Sequence, residues 1–503
     1  MASALQLPAS TSAADPVTLS GTVLNAVTGA PVSRALVKIA DRAMLTDRLG
    51  RFEFDRLAAS GGGIVEVRKP GFYFGSTGGT TTILFPDQMR SQVVFRLYPE
   101  ALMTGTVTAS DGSPLPHVFL TAMRSIYNES GHQWFPMGHS LTNSRGEFRM
   151  TVPPGDYRIE TNFSMLLPGS SDAVLPVRLP STPDGVIHLG SGSQQQFELH
   201  PVVGRTYPVR VKVVLPQRQG FPSLLVKAAD GAIFPAHIDR REDVDDGETQ
   251  IALPSGTFTL VGQLSRAGGM EYGETEVSVA DHAVEGVVLQ LAPVAPIPVQ
   301  MVVDSDSTSD KTPTTSQQLG MMLQNVQGPG VGASSFPVMV QNQEASFRPT
   351  PGVYRLVGRN YGHWFISSAS CGTSDLLKQD IQVSWGGGAS APIVVTVSNQ
   401  SGGLQGMVQL RGAGASIWVY AIPDGPTAVL FYTIRSNANG SYSFSSLPPG
   451  TYRLVAFEER RWASYSDPEV LRPYATYVHS IVITAGNTLT LNLDAVPSAE
   501  MVQ

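Results

Sequence analysis

A turn phrase recurs along this chain at intervals close to one hundred residues, and nothing else in the sequence narrows the choice of fold as much. Pro153-Pro154-Gly155-Asp156-Tyr157-Arg158 is echoed by Thr350-Pro351-Gly352-Val353-Tyr354-Arg355 and Pro448-Pro449-Gly450-Thr451-Tyr452-Arg453, and more loosely by Pro254-Ser255-Gly256-Thr257-Phe258. The four glycines stand 101, 96 and 98 residues apart. A period of that size is a whole compact domain rather than one turn of a solenoid. The chain has 503 residues, too many for one continuous core, so length and repeat agree.

A second phrase precedes the first at short range: Asp47-Arg48-Leu49-Gly50-Arg51-Phe52, Asn143-Ser144-Arg145-Gly146-Glu147-Phe148 and Asn437-Ala438-Asn439-Gly440-Ser441-Tyr442. Asp or Asn opens a tight turn and Gly accepts a positive φ, so each phrase starts a β-hairpin that returns at the Pro-Gly turn. The alternation then places Phe52/Phe54, Phe148/Met150 and Tyr442/Phe444 on an inward face, followed by Tyr157/Ile159, Phe258/Leu260, Tyr354/Leu356 and Tyr452/Leu454. Alternating strands also open and close each unit, from Leu19/Gly21/Val23 with Val93/Phe95/Leu97 to Leu404/Gly406/Val408 with Leu489/Leu491/Leu493.

These patterns predict an all-β chain: a tandem array of about five Ig-like or transthyretin-like antiparallel β-sandwiches. The expected division is a flexible segment 1–15, sandwiches at 16–98, 99–200, 201–295, 296–398 and 399–497, and a tail 498–503. Short joints containing Pro99, Pro201 and Pro293 to Pro298 predict a semi-rigid extended rod.

Gly 50 and Pro 37 exceed their ordinary share and fit a turn-rich β protein. Charged residues make up 15%, with 34 basic against 41 acidic groups and a net charge of −7, which disfavours a phosphate-binding surface and excludes nucleic acid as an expected partner. Cys371 stands alone, so no intrachain disulfide forms, and a small packed side chain is favoured over a nucleophile. No run of about 20 apolar residues occurs, so no transmembrane helix is expected. Residues Met1 to Pro16 carry the Ala/Ser/Thr/Pro content found after a cleaved secretion signal, and a mature secreted form with Met1 added is the expectation.

Gly21-Thr22-Val23, then Thr28-Gly29-Ala30-Pro31-Val32, Ala35 and Val37, then Asp47 to Phe52, resembles the carboxypeptidase regulatory-like domain, a transthyretin-like sandwich. Gly105-Thr106-Val107, Asp111-Gly112-Ser113-Pro114-Leu115, Gly146-Glu147-Phe148 and Pro154-Gly155-Asp156-Tyr157 repeat the order. The last unit keeps Gly406, Gly440-Ser441-Tyr442 and Leu447 to Tyr452. Its tail through Asp467-Pro468 and Pro473-Tyr474 resembles secreted acidobacterial members. The third and fourth units match only in the Pro-Gly turn and strand pattern. The resemblance implies a scaffold without catalytic residues of its own.

No H-E-x-x-H, G-x-S-x-G, Walker-type or dinucleotide-binding pattern occurs, and no catalytic residue, metal ligand or cofactor is assigned. The candidate ligand-binding residues are Tyr127, His132, Trp134 and Phe135, with His139, on an expected loop from Arg124 to Thr142, and Trp462 and Tyr465 in the last unit. Aromatic rings stack on sugars, but they also pin long loops, and packing is favoured. The acids from Asp239 to Glu248 could supply oxygens to Ca²⁺, although Arg240 and Arg241 favour a solvated loop, and Asp304, Asp306 and Asp310 are weaker still. The leading functional expectation is a non-enzymatic secreted, periplasmic or cell-surface structural or adhesive protein. Its partners would be copies of itself, joined by strand addition from Ala2 to Pro16, or a cell-surface polysaccharide. The alternative is a carbohydrate-binding surface protein using aromatic loops at the sandwich ends.

Overall fold

A computed structural model describes residues 17–57, 63–74, 81–84, 92–128, 131–161, 163–165, 171–175, 178–179, 186–216, 220, 222–228, 233–236, 238–239, 248–266, 269–304, 316–326, 335–341, 344–385, 391–414, 416–461, 463, 465 and 467–500. Ten sheets organise these residues, and they pair into five sandwiches. Each sandwich encloses its own apolar cluster. The expected strand-donor segment, Ala2 to Pro16, lies outside the described residues.

One plan recurs five times. The opening strand sits inside one sheet, between an antiparallel neighbour, which follows the Asp/Asn turn in the first, second and fifth units, and the closing strand. Val17–Asn25 lies between Arg51–Leu57 and Val93–Pro99, and Ala101–Val107 between Glu147–Val152 and Gln194–Leu199. Val203–Val214 lies between Glu248–Pro254 and Val284–Gln290, and Ile297–Val303 between Glu344–Phe347 and Ile393–Ser398. Gly402–Leu410 completes the series between Ser441–Leu447 and Thr488–Thr490. The facing sheet is built on an antiparallel pair whose second member follows the Pro-Gly turn in the last four units, as in Phe119–Asn128 with Gly155–Thr161 and Trp418–Pro423 with Gly450–Phe457. The sheets depart from the expected antiparallel arrangement at one place in every unit: opening and closing strands run parallel. The closing strand reaches its place by crossing from the other sheet, as parallel neighbours require.

The two phrases do separate jobs. Asp47 Oδ1 accepts from the amides of Leu49 and Arg51, and Asn143 Oδ1 from those of Arg145 and Glu147. These bonds fix the turn that aims Phe52, Phe54, Phe148 and Met150 into the core, where all four are buried. At the Pro-Gly corner, buried tyrosine hydroxyls donate to the carbonyl four residues earlier: Tyr157 to Pro153 at 2.6 Å, Tyr354 to Thr350 at 2.7 Å and Tyr452 to Pro448 at 2.8 Å. The third unit has Phe258 there, and its corner is tied instead by Ser255 Oγ donating to the carbonyl of Ala280.

The glycine in the opening strands of the first, second and fifth units has a steric cause. Gly21, Gly105 and Gly406 oppose Phe52, Phe148 and Tyr442 across the antiparallel pair, and the aromatic ring lies over the space a side chain would fill. On the other side, a Cβ at these glycines would collide with the carbonyl oxygens of Val93 and Phe197 on the closing strand and of Leu491 just after it. The third and fourth units pair Val209 with Ile251 and Val299 with Ala345, without a glycine–aromatic pair.

Neighbouring units are interlocked. Asp172–Val174 of the second unit adds to the start of Val203–Val214 in the third, and Phe163 stacks on Phe234 at 5.9 Å. Tyr272 of the third unit meets Trp385 of the fourth at 5.0 Å. Ala428 of the fifth enters the core of the fourth, where Gly358 N donates to its carbonyl at 2.9 Å. The tandem architecture is as expected, but an open, extended rod is not formed. Tyr98 of the first unit donates a 2.6 Å hydrogen bond to Glu459 of the fifth, so the array folds back on itself. Proline stands in three of the four linkers, yet the tilt at a joint is set by the side chains that interlock there, and these the linker composition does not reveal.

Gly406→Ala is expected to lower stability by about 2–3 kcal/mol, through overpacking against a backbone carbonyl that cannot rotate away. Tyr452→Phe, which deletes one buried hydrogen bond, should cost about 1 kcal/mol. Thermal midpoints of the two variants give the order, and equal losses would contradict the close-approach account.

Candidate functional site

The segment expected as a loop is a β-hairpin. Phe119–Asn128 and Gly131–Leu141 pair over their whole length, with one bulge between Ala122 and Met123. The residues alternate across the hairpin, and cross-strand bonds satisfy the backbone, so a long polar excursion is avoided. Ser125 opposes Trp134 and Thr121 opposes His139 on the solvent face, whereas Phe135 opposes Arg124 on the other. Trp134 is half-buried beneath the Arg158 guanidinium, 4.4 Å from the ring centroid, and Arg158 is also paired with Glu160 at 2.8 Å. His139 stacks on Phe119 at 5.7 Å. Phe135 is 51% exposed. The side chains of Tyr127 and His132 lie outside the described residues, although their backbones pair. Trp134 and His139 share a face but stand roughly 16 Å apart along the strand, too far to grip one small group together.

The last unit has a third layer. Residues 463, 465 and 467–478 cover the outer face of the sheet containing Trp418–Pro423, burying Tyr420, Phe431, Phe457, Tyr465 and Tyr474 in a second apolar cluster. Tyr465 therefore does not offer its ring to a ligand. It is 2% exposed, packs at 5.2 Å from Phe431, and its hydroxyl donates to the Arg461 carbonyl at 2.8 Å. Trp462 lies outside the described residues. Arg461 lies over Tyr474, 4.9 Å from its centroid, and its amide donates to Tyr420 Oη at 2.9 Å. Burial pushes the Tyr420 hydroxyl up to about 12 and raises Tyr465 further.

Trp418, which belongs to no motif of the sequence, comes together with two arginines in the fold. Trp418 carries Arg460 at 4.7 Å and Arg435 at 5.8 Å from its ring. Arg435 is its cross-strand neighbour, a pairing visible only once the register is known. Beside it runs a shallow open groove of about 500 Å³ over Gln405, Met407, Asn437, Ser443 and Asn492. Cys371 is half-buried with Sγ 3.3 Å from the Ala391 carbonyl, and burial pushes its thiol up, away from the nucleophilic thiolate. Among the described residues, no three His, Cys, Asp or Glu side chains gather as a metal site would require. The interior of the acidic segment between Asp239 and Glu248 is outside those residues, as are Asp306 and Asp310.

No family model and no curated protein matches the chain. Solved structures share low-identity likenesses. The Bacillus anthracis TIE protein is 12% identical over 55% of this chain and 51% of its own, with a TM-score of 0.18, so this chain spans about half of that one. A streptococcal ancillary pilin is 12% identical over 58% of this chain and 99% of its own, with a TM-score of 0.17. BcpA, the major pilin subunit of Bacillus cereus, is 8% identical over 78% and 99%, with a TM-score of 0.15. Scores this low carry no argument, and the all-β sandwich assignment rests on the sheets themselves. Among the described residues, no helix is long and apolar enough to cross a membrane.

The buried tyrosines carry a pH signature. Burial raises Tyr157, Tyr354, Tyr420, Tyr442, Tyr452 and Tyr465, with Tyr420 and Tyr442 at about 12. A folded value above the unfolded one, about 10, favours the protonated native state, so this stabilisation is complete below about pH 10 and is lost as pH rises toward 12. Ultraviolet titration should show these tyrosines ionising together with alkaline unfolding. Their ionisation in the folded chain near pH 10 would contradict the burial.

Proposed function

We propose that this chain is a non-enzymatic structural or adhesive protein, secreted or held at the cell surface, whose sandwiches belong to the carboxypeptidase regulatory-like type and act as spacers. The observation that carries the reading is the construction of the joints. One two-sheet plan is repeated five times, and successive units are tied by an added strand between the second and third, a Tyr272–Trp385 contact between the third and fourth, and an inserted Ala428 between the fourth and fifth. Such ties hold the second to fifth domains at fixed separations, which is what display or spacing asks of a protein.

The residues singled out for chemistry support the same reading. Trp134 packs under Arg158, Tyr465 anchors a cover strip, and the shifted hydroxyls close turns. Copies of the chain are the proposed partner, with residues 2–16 as the proposed donor for strand addition.

Antibody labelling of intact cells of the source organism, before and after permeabilisation, tests the placement. Labelling of intact cells is expected, and labelling only after permeabilisation would contradict it. Calorimetric titration with cell-surface polysaccharides separates the spacer from the carbohydrate-binding reading. Binding that disappears in Trp134→Ala would favour the latter.

A further inference from the structure

We infer that Glu459 closes a releasable latch: its carboxylate, seated against Tyr98 and Arg96, fastens the fifth sandwich to the first, and release separates the ends of the array without unfolding any sandwich. The receiving surface follows from strand alternation. In Val93–Pro99, Phe95 and Leu97 enter the core, which leaves Arg96 and Tyr98 side by side on the outer face. Tyr98 Oη donates to Glu459 Oε2 at 2.6 Å, and Arg96 Nε lies 3.7 Å from Oε1, so each carboxylate oxygen has its own partner.

The presenting loop is held in place on both sides of Glu459. Glu458 Oε2 accepts from the amide of Ser498 at 2.7 Å, and the Arg461 amide donates to Tyr420 Oη at 2.9 Å. A carboxylate fixed in this way loses little conformational freedom on docking, which favours closure. Burial and the neighbouring carboxylate both raise Tyr98, keeping it a proton donor.

Comparison of the joints shows why this contact is the one that opens. The second and third units share strand pairing, the third and fourth bury Tyr272 against Trp385, and the fourth takes Ala428 into its core. Among the described residues, no strand of the first unit pairs with one of the fifth, and no apolar cluster spans them. Polar contacts with Arg96 41% and Glu459 34% exposed are screened by salt, whereas apolar cores are not. The inference goes beyond a spacer of one length: it gives the array a closed and an open form of different reach.

Small-angle scattering on the full chain tests it. Glu459→Arg should increase the radius of gyration and maximum dimension while leaving the thermal midpoint in place, and the charge swap Glu459→Arg with Arg96→Glu should restore part of the closure. Tyr98→Phe, a change that keeps the ring, should raise the open-to-closed ratio by about tenfold, the loss of one charge-assisted hydrogen bond. It serves as the deciding variant if Glu459→Arg loses its fold. Wild-type dimensions in a folded Glu459→Arg, or in Tyr98→Phe should Glu459→Arg not fold, would overturn the latch and leave the surface role untouched.

Discussion

Parallel pairing of each opening strand with its closing strand is the constraint on which the architecture depends. A chain that leaves a domain in the direction it entered can begin the next domain at once, and joints as short as Pro99-Glu100 become possible. The arrangement requires close backbone approach in the crowded centre of a sheet. Three units meet that demand with a glycine beneath an aromatic ring, at Gly21, Gly105 and Gly406. The other two use a valine in the corresponding sheet, so the recurring glycine marks one packing solution rather than the fold itself.

The interior of each unit was legible because it is written in short-range periodicity. Phe148 and Met150, or Tyr452 and Leu454, are two residues apart, and their burial follows from alternation once the flanking turns are recognised. The hydrogen bond from each corner tyrosine spans four residues and has the same local origin. The parallel pairs were not legible, since strand direction between residues some seventy or more positions apart leaves no local trace. The hairpin Phe119–Asn128 with Gly131–Leu141 was misread as a loop because Pro136, two glycines and mixed polarity blur its alternation. The fold-back was hidden for a deeper reason: Tyr98 and Glu459 are 361 positions apart, and only the summed tilts of four joints bring them together.

The candidate sites divide along the same line. A dense aromatic run such as the one around Tyr465 looks identical in sequence whether it recognises a ligand or covers a sheet. The structure decides by placing Tyr465 beneath its own strip, among Tyr420, Phe431 and Tyr474. Trp134 differs in degree, since Arg158 covers its ring while its hairpin stays open to solvent along one edge. Arginine–aromatic stacks recur at Trp134, Trp418 and Tyr474, giving a low-charge chain ordered polar surfaces from few ionic groups.

A repeated unit with a core of its own should yield to load as a unit. Stretching the full chain between two attachment points in a single-molecule force experiment addresses this most directly. The account predicts five separate unfolding events, each releasing about 30 nm of chain, the extended length of one sandwich less its folded span. A single cooperative event, or releases unrelated to the hundred-residue period, would contradict it.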